Sequence, residues 1–123
     1  MIEVPVSVGE VLDKITILQI KQEKIEDSTK RKNVSKELEL LQSRVQVRIP
    51  NDLISQLKQV NEQLWDIEDQ IRICEKNQDF GTEFIQLARS VYITNDKRAE
   101  LKREINVYTN SELIEEKSYQ RNL

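Results

Sequence analysis

The run Thr94-Asn95-Asp96-Lys97-Arg98 puts an amide, a carboxylate and two cations into the middle of "SVYITNDKRAELKREIN", a stretch that otherwise reads as helix. A second polar string, "LWDIEDQIR", supplies Trp65, Asp66, Glu68, Asp69 and Arg72. Asp66, Glu68 and Asp69 offer the oxygen ligands that a hard divalent cation takes. Arg89, Arg98 and Lys102 could converge on an anion. The sequence has no histidine. That removes Ser-His and Cys-His nucleophile systems and metal sites that need imidazole. Catalysis would have to use carboxylates, lysine, arginine or tyrosine.

Two known helical chemistries match poorly. Nucleotide-hydrolysing helical enzymes pair Glu-x-x-Glu with a later Glu-x-x-Asp. Glu23 and Glu26 supply the first half, no second half follows, and Glu10 and Asp13 give that half in the wrong order. A chorismate-mutase-like site needs an arginine early in its first helix, where this chain has only Lys14, Lys21 and Lys24. No catalytic residue, cofactor or metal is therefore expected. The candidate ligand or interaction residues are Trp65, Glu68, Asp69, Arg72, Arg89, Tyr92, Asn95, Asp96, Arg98, Lys102, Arg103 and Asn106.

Those residues must be held by helices. In 123 residues, 33% are charged, 5% are aromatic, and there are two glycines and two prolines, a composition for long helices rather than a sheet. One all-α domain is expected, with residues 1–6 as an extended lead and a first helix over 7–26. Ser7 and Glu10 form a capping-box pattern, with Val6 and Val11 placed as a hydrophobic staple. Val8, Val11, Leu12, Ile15, Leu18 and Ile25 mark one face; Ile17 and Ile20 widen it, so this helix should be buried on more than one side. Val34, Leu38, Leu41 and Val45 predict a second helix over 30–45. The alternating segments "IEVPV" and "VQVRIP" either pair as short strands or lie extended against helices; a lone two-stranded ribbon is marginal, which favours the second.

Asn51 or Asp52 can cap a third helix over 52–77, on which Leu57, Val60, Leu64, Ile67, Ile71 and Cys74 form a heptad seam. Asp79 or Thr82 can cap a fourth over 80–108, and 109–123 form a tail with room for a short helix after Ser111. Folding the last two helices into an antiparallel hairpin sets Leu64 opposite Thr94 and Asn95, Ile67 opposite Val91, Ile71 opposite Leu87, and Cys74 opposite Phe84. The polar run keeps helical phase, so it should be continuous helix. Asn95 should then be partly buried near Trp65 or Glu68, with Asp96 and Lys97 exposed. Arg89 and Tyr92 should approach Asp69 and Arg72.

The net charge of -3 argues against a general nucleic-acid partner. The lone Cys74 excludes an internal disulfide and fits a reducing compartment. The segment "MIEVPVSVGEV" shows neither a basic leader nor a long apolar run, so no secretion signal or membrane span is expected and the cytoplasm is the expected location. A third helix with apolar residues off its seam, and a first helix apolar on several faces, point to a homodimer or a protein partner.

At "VPVSVGEVLDKITILQIK", "LWDIEDQIR", "FIQLARSVYITNDKRAELKREIN" and "EEKSY" the chain resembles an uncharacterised family of small bacterial all-helical proteins. The resemblance spans most of the length and brings no activity with it. It implies a specific role for Asp69, Arg72, Asn95, Asp96, Lys102, Arg103 and Asn106. The function expected is a non-enzymatic interaction or assembly module. The alternative is a small anionic-ligand binder, or a helical enzyme, using the polar zone of the hairpin.

Overall fold

The computed structural model describes residues 1–120. It is all-helical, with α1 at Val8–Lys24, α2 at Ser28–Arg44, α3 at Asn51–Lys76 and α4 at Thr82–Tyr108. No strand forms among the described residues. Residues 1–6 are extended and exposed, with Ile2 and Val4 left in solvent, whereas Ile49 of the second alternating segment is buried in the core.

Local chemistry sets each boundary. Ser7 Oγ accepts the Glu10 N–H at 3.2 Å and starts α1. The Glu10 carboxylate does not close the capping box; it turns outward to Lys102. Asp27 accepts the Lys30 N–H at 2.9 Å, so α2 begins at Ser28, ahead of the position its apolar spacing indicated. α3 and α4 begin without the side-chain caps expected from Asn51, Asp52, Asp79 or Thr82; Pro50 and Gly81 occupy the cap positions. Pro50, with φ −56°, is already set for a helix start. Asp79 instead accepts the Gly81 N–H at 3.1 Å within the turn. α4 ends where Asn110 adopts φ 52° and Ser111 N–H bonds the Asn106 carbonyl at 2.8 Å, a left-handed stop that asparagine tolerates well. The described part of the tail has no helix after Ser111; residues 121–123 of the expected tail lie outside the described residues.

α3 and α4 pack as a hairpin, α1 packs on both of them, and α2 touches α1 alone. α1 is thus covered on three sides, as its broad apolar surface requires. One core cluster gathers Leu12, Leu57, Val60, Leu101 and Ile105 with Ile49; a second gathers Ile15 and Leu18 with Leu38. On α3, the first cluster reaches Leu64 and stops. The hairpin continues past it as a two-helix arm. Trp65–Lys76 alone adds 12 residues, about 18 Å of helix. In this arm Cys74 is the buried apolar side chain; Ile67, Ile71, Phe84, Leu87 and Val91 are half-buried. α4 runs unbroken through the polar run.

Candidate functional site

A buried polar cluster joins α1 to the base of the hairpin. Asp13, on the second turn of α1, is 1% exposed. Its Oδ1 accepts the Arg98 Nε–H and the Asn61 amide N–H, each at 2.9 Å. A second guanidinium nitrogen of Arg98 bonds Asp13 Oδ2, completing a two-pronged contact. The Asn61 amide also donates to Thr16 Oγ1 at 2.9 Å, and that hydroxyl donates to the Asp13 carbonyl at 2.8 Å. No buried side-chain polar atom among the described residues lacks a partner. The hydrogen bond to Asp13 raises the Arg98 pKa, against the opposing effect of burial. Three helices therefore meet on one carboxylate.

One turn toward the α1 N-terminus, Lys102 bonds Glu10 at 2.7 Å and Glu115 of the tail at 3.3 Å. Burial works to lower the Lys102 pKa; the Glu10 hydrogen bond and the charges of Asp13, Glu10 and Glu115 outweigh it, so the net shift is upward. Beyond Lys102, Asn106 is buried and its Oδ1 accepts the Gly9 N–H at 2.6 Å, while Ser111 Oγ accepts the Val8 N–H at 3.1 Å. Together with Ser7, these satisfy the orphan donors of the first turn of α1. Gly9 permits this close approach: a Cβ there would stand 2.5 Å from the Lys102 carbonyl oxygen. Asn106→Ala strands a buried N–H and should cost about 1–3 kcal/mol. Denaturant unfolding checks this; a loss within error would mean that another group satisfies Gly9.

The tail is strapped along α4. Glu115 reaches Lys102, and Glu116 reaches Arg103 at 2.9 Å. Glu115 titrates below its ordinary value, chiefly through its hydrogen bond from Lys117, with burial opposing and Lys102 assisting. A depressed carboxylate stabilises the state that holds it above the unfolded value, and that contribution is lost as the pH falls through the folded value. The strap should therefore hold at neutral pH and loosen in acid, below the ordinary glutamate value of 4.5. Amide exchange at residues 112–120 should rise there relative to the core of α1. Tail protection that stays constant to the acid limit of the fold would contradict this.

The residues singled out from sequence divide. Tyr92, Asn95, Asp96, Arg98 and Lys102 line an open groove of about 320 Å³, closed on one side by Lys117 and Tyr119. Asp96, Lys102, Arg103 and Asn106 line the adjoining depression under the tail. Asn95 is half-buried, but its partner is Arg98 at 3.4 Å, rather than Trp65 or Glu68. Asp96 is half-buried rather than exposed; Lys97 is exposed. Trp65 is half-buried. Glu68, Asp69, Arg72 and Arg89 are exposed, and Arg72 bonds Glu68 at 3.1 Å on the α3 surface. The second polar string thus stays outside the groove, because its acids point away from the seam. Among the described residues no three carboxylates or thiolates converge as a metal set, and no helix is long and apolar enough to cross a membrane. The Cys74 thiol is pushed up by burial and then by Glu83 and Asp79.

Sequence reasoning passed over Gly9, Thr16 and Asn61, and weighed Asp13 only as part of a carboxylate pattern in the wrong order. The signal lay in spacing: Asp13 and Thr16 each precede an apolar residue by four, at Ile17 and Ile20. Asn61 falls between Leu57 and Leu64 at the same steps as the seam.

Fold and site define a small all-helical protein with a projecting hairpin, whose first helix is pinned to the hairpin base by buried ion pairs and amides. The chain belongs to the family of unknown function DUF6165, whose model matches residues 2–123. No curated protein and no solved structure matches it.

Proposed function

We propose that this chain is a non-enzymatic interaction module acting in the cytoplasm, with the hairpin arm as its docking element. It associates with further copies of itself or with a protein partner. The arm's exposed apolar surface carries this reading. Ile73, Ile85 and Ile93 stand in solvent on its flanks, Ile73 at 57% and Ile85 at 55% exposure, and Phe80 in the turn is exposed on the side away from its edge-on contact with Phe84. A two-helix hairpin offers one seam, so flank residues have nothing of their own chain to pack on. Several large apolar side chains left exposed on one projecting arm fit a docking surface. The lone cysteine and its raised pKa fit a thiol that stays reduced.

The second reading is a small-anion site, favoured by Tyr92, Asn95 and Arg98 in one groove. The charge balance counts against it. Arg98 is held by Asp13, Lys102 by Glu10 and Glu115, and Lys117 by Glu115, while Asp96 adds a negative charge to the same wall.

The test compares wild type with Ile85→Asn/Ile93→Asn, matched by far-ultraviolet circular dichroism. Wild type should self-associate at roughly tens of micromolar, or crosslink to a host protein through position 85, and the variant should lose both. Identical behaviour of the two proteins would reject the flank of the arm that carries Ile85 and Ile93 as a docking surface.

A further inference from the structure

An acidic stretch of the arm and a basic stretch of α2 lie on parts that do not touch within one copy. On α3, Glu62, Asp66, Asp69 and Ile73 are spaced four, three and four apart, which places them on one helix face. Asp66, Asp69 and Ile73 are exposed. From Glu62 to Glu83 the hairpin carries seven carboxylates against Arg72 and Lys76, and Arg72 is already paired with Glu68. α2 is the opposite. Residues 28–36 contain Lys30, Arg31, Lys32 and Lys36 with no carboxylate, and none of these cations forms an ion pair among the described residues. Lys32, Lys36 and Leu40 stand four apart and are all exposed. They lie away from Val34, Leu38 and Leu41, which pack in the core with α1. α2 contacts α1 alone, so its outer face is unpartnered.

We infer that a second copy of this chain lays the outer face of its α2 along the outer face of α3 in the arm. In a parallel alignment Lys32 meets Asp66, Lys36 meets Asp69, and Leu40 meets Ile73. The charge match sets the register and speeds encounter; the Leu40–Ile73 contact covers apolar surface that the fold leaves open. Arm-on-arm pairing is disfavoured, because it would bring two acidic surfaces together. The two faces differ and every copy carries both, so the contact either closes as a reciprocal pair in a two-fold dimer or repeats head-to-tail in a ring or open chain. The inference rests on the arm being the docking element and commits that element to a second copy.

The test is a charge exchange read by sedimentation velocity. One variant is Lys32→Glu/Lys36→Glu; the other is Asp66→Lys/Asp69→Lys. All four positions are exposed, and circular dichroism verifies that each variant keeps its helices. Wild type should show species larger than a monomer at low salt and lose them at high salt. Each variant alone should sediment as a monomer. Their equimolar mixture should recover the larger species, because an acidic α2 then meets a basic arm. A monomeric wild type at every concentration and salt, or variants that associate like wild type, would overturn the inference. If the charge variants associate normally while Ile85→Asn/Ile93→Asn does not, the arm docks and the α2 assignment is wrong. If the charge variants and the apolar variant all associate like wild type, both faces of the arm are excluded and the arm reading fails as well.

Discussion

Arg98→Ala should destabilise the fold by about 3–5 kcal/mol, the range for breaking a buried ion pair by removing one partner. The loss is large because of what stays behind. The Asp13 side chain is 2% exposed, so without the guanidinium its carboxylate keeps a single side-chain donor, the Asn61 amide. Asp13→Ala should cost less. Arg98 is 28% exposed along its side chain and can turn toward water, while Asn61 retains Thr16. Replacing both partners with apolar residues, as in Asp13→Leu/Arg98→Met, should recover much of the deficit, since buried pairs often gain little over a well-packed apolar substitute. Chemical denaturation of wild type, Arg98→Ala, Asp13→Ala and Asp13→Ala/Arg98→Ala closes the double-mutant cycle, with the apolar double variant measured beside it. Additive losses would mean that the two residues are not coupled. If the apolar double variant recovers stability but α1 loses its register on the hairpin, the pair serves specificity of packing rather than net stability.

Gly9→Ala should cost about 2 kcal/mol, even though alanine is the better helix former. The added methyl would lie 2.5 Å from the Lys102 carbonyl oxygen and 2.9 Å from Asn106 Oδ1. The first obstacle is backbone inside a helix, which cannot swing aside as a side chain can. Overpacking of this kind costs about 1–3 kcal/mol, here near the top of the range, and the helix propensity of alanine returns about 1 kcal/mol. Moving α1 away to make room would also lengthen the 2.6 Å bond from Gly9 N–H to Asn106 and displace Glu10 from Lys102. The substitution should therefore lower stability and raise amide exchange at positions 9 and 10 together. Unchanged stability would show that α1 and α4 approach less closely than this geometry requires.

The helices were legible because their information is local. Ser7, the i to i+4 spacing of Leu38 and Val34, and the heptad steps from Leu57 to Cys74 each act within a turn or two. The unbroken phase of α4 through Asn95 and Asp96 follows from the same periodicity. The burial of α1 on several sides was visible in the width of its apolar face.

The site was less legible. Tyr92, Asn95, Asp96, Arg98, Lys102, Arg103 and Asn106 are polar and conspicuous on α4, so composition pointed to them. Their partners are on α1, where Glu10 reads as half of a capping box and nothing beside Asp13 marks it for burial. A carboxylate on a helix can be solvated or buried, and its own neighbours do not say which. The decision came from the arrival of Asn61 and Arg98, 48 and 85 residues away in sequence, with enough donors to offset the desolvation of the Asp13 charge. The pairing of Glu68 with Arg72 ran the other way. Four residues of separation let them meet on the α3 surface, and nothing in the fold drew them inward. Periodicity thus determined which segments are helices and which faces are apolar. Only the crossing of α1 over the hairpin decided which charges left water, because burying a charge requires partners that no single helix contains.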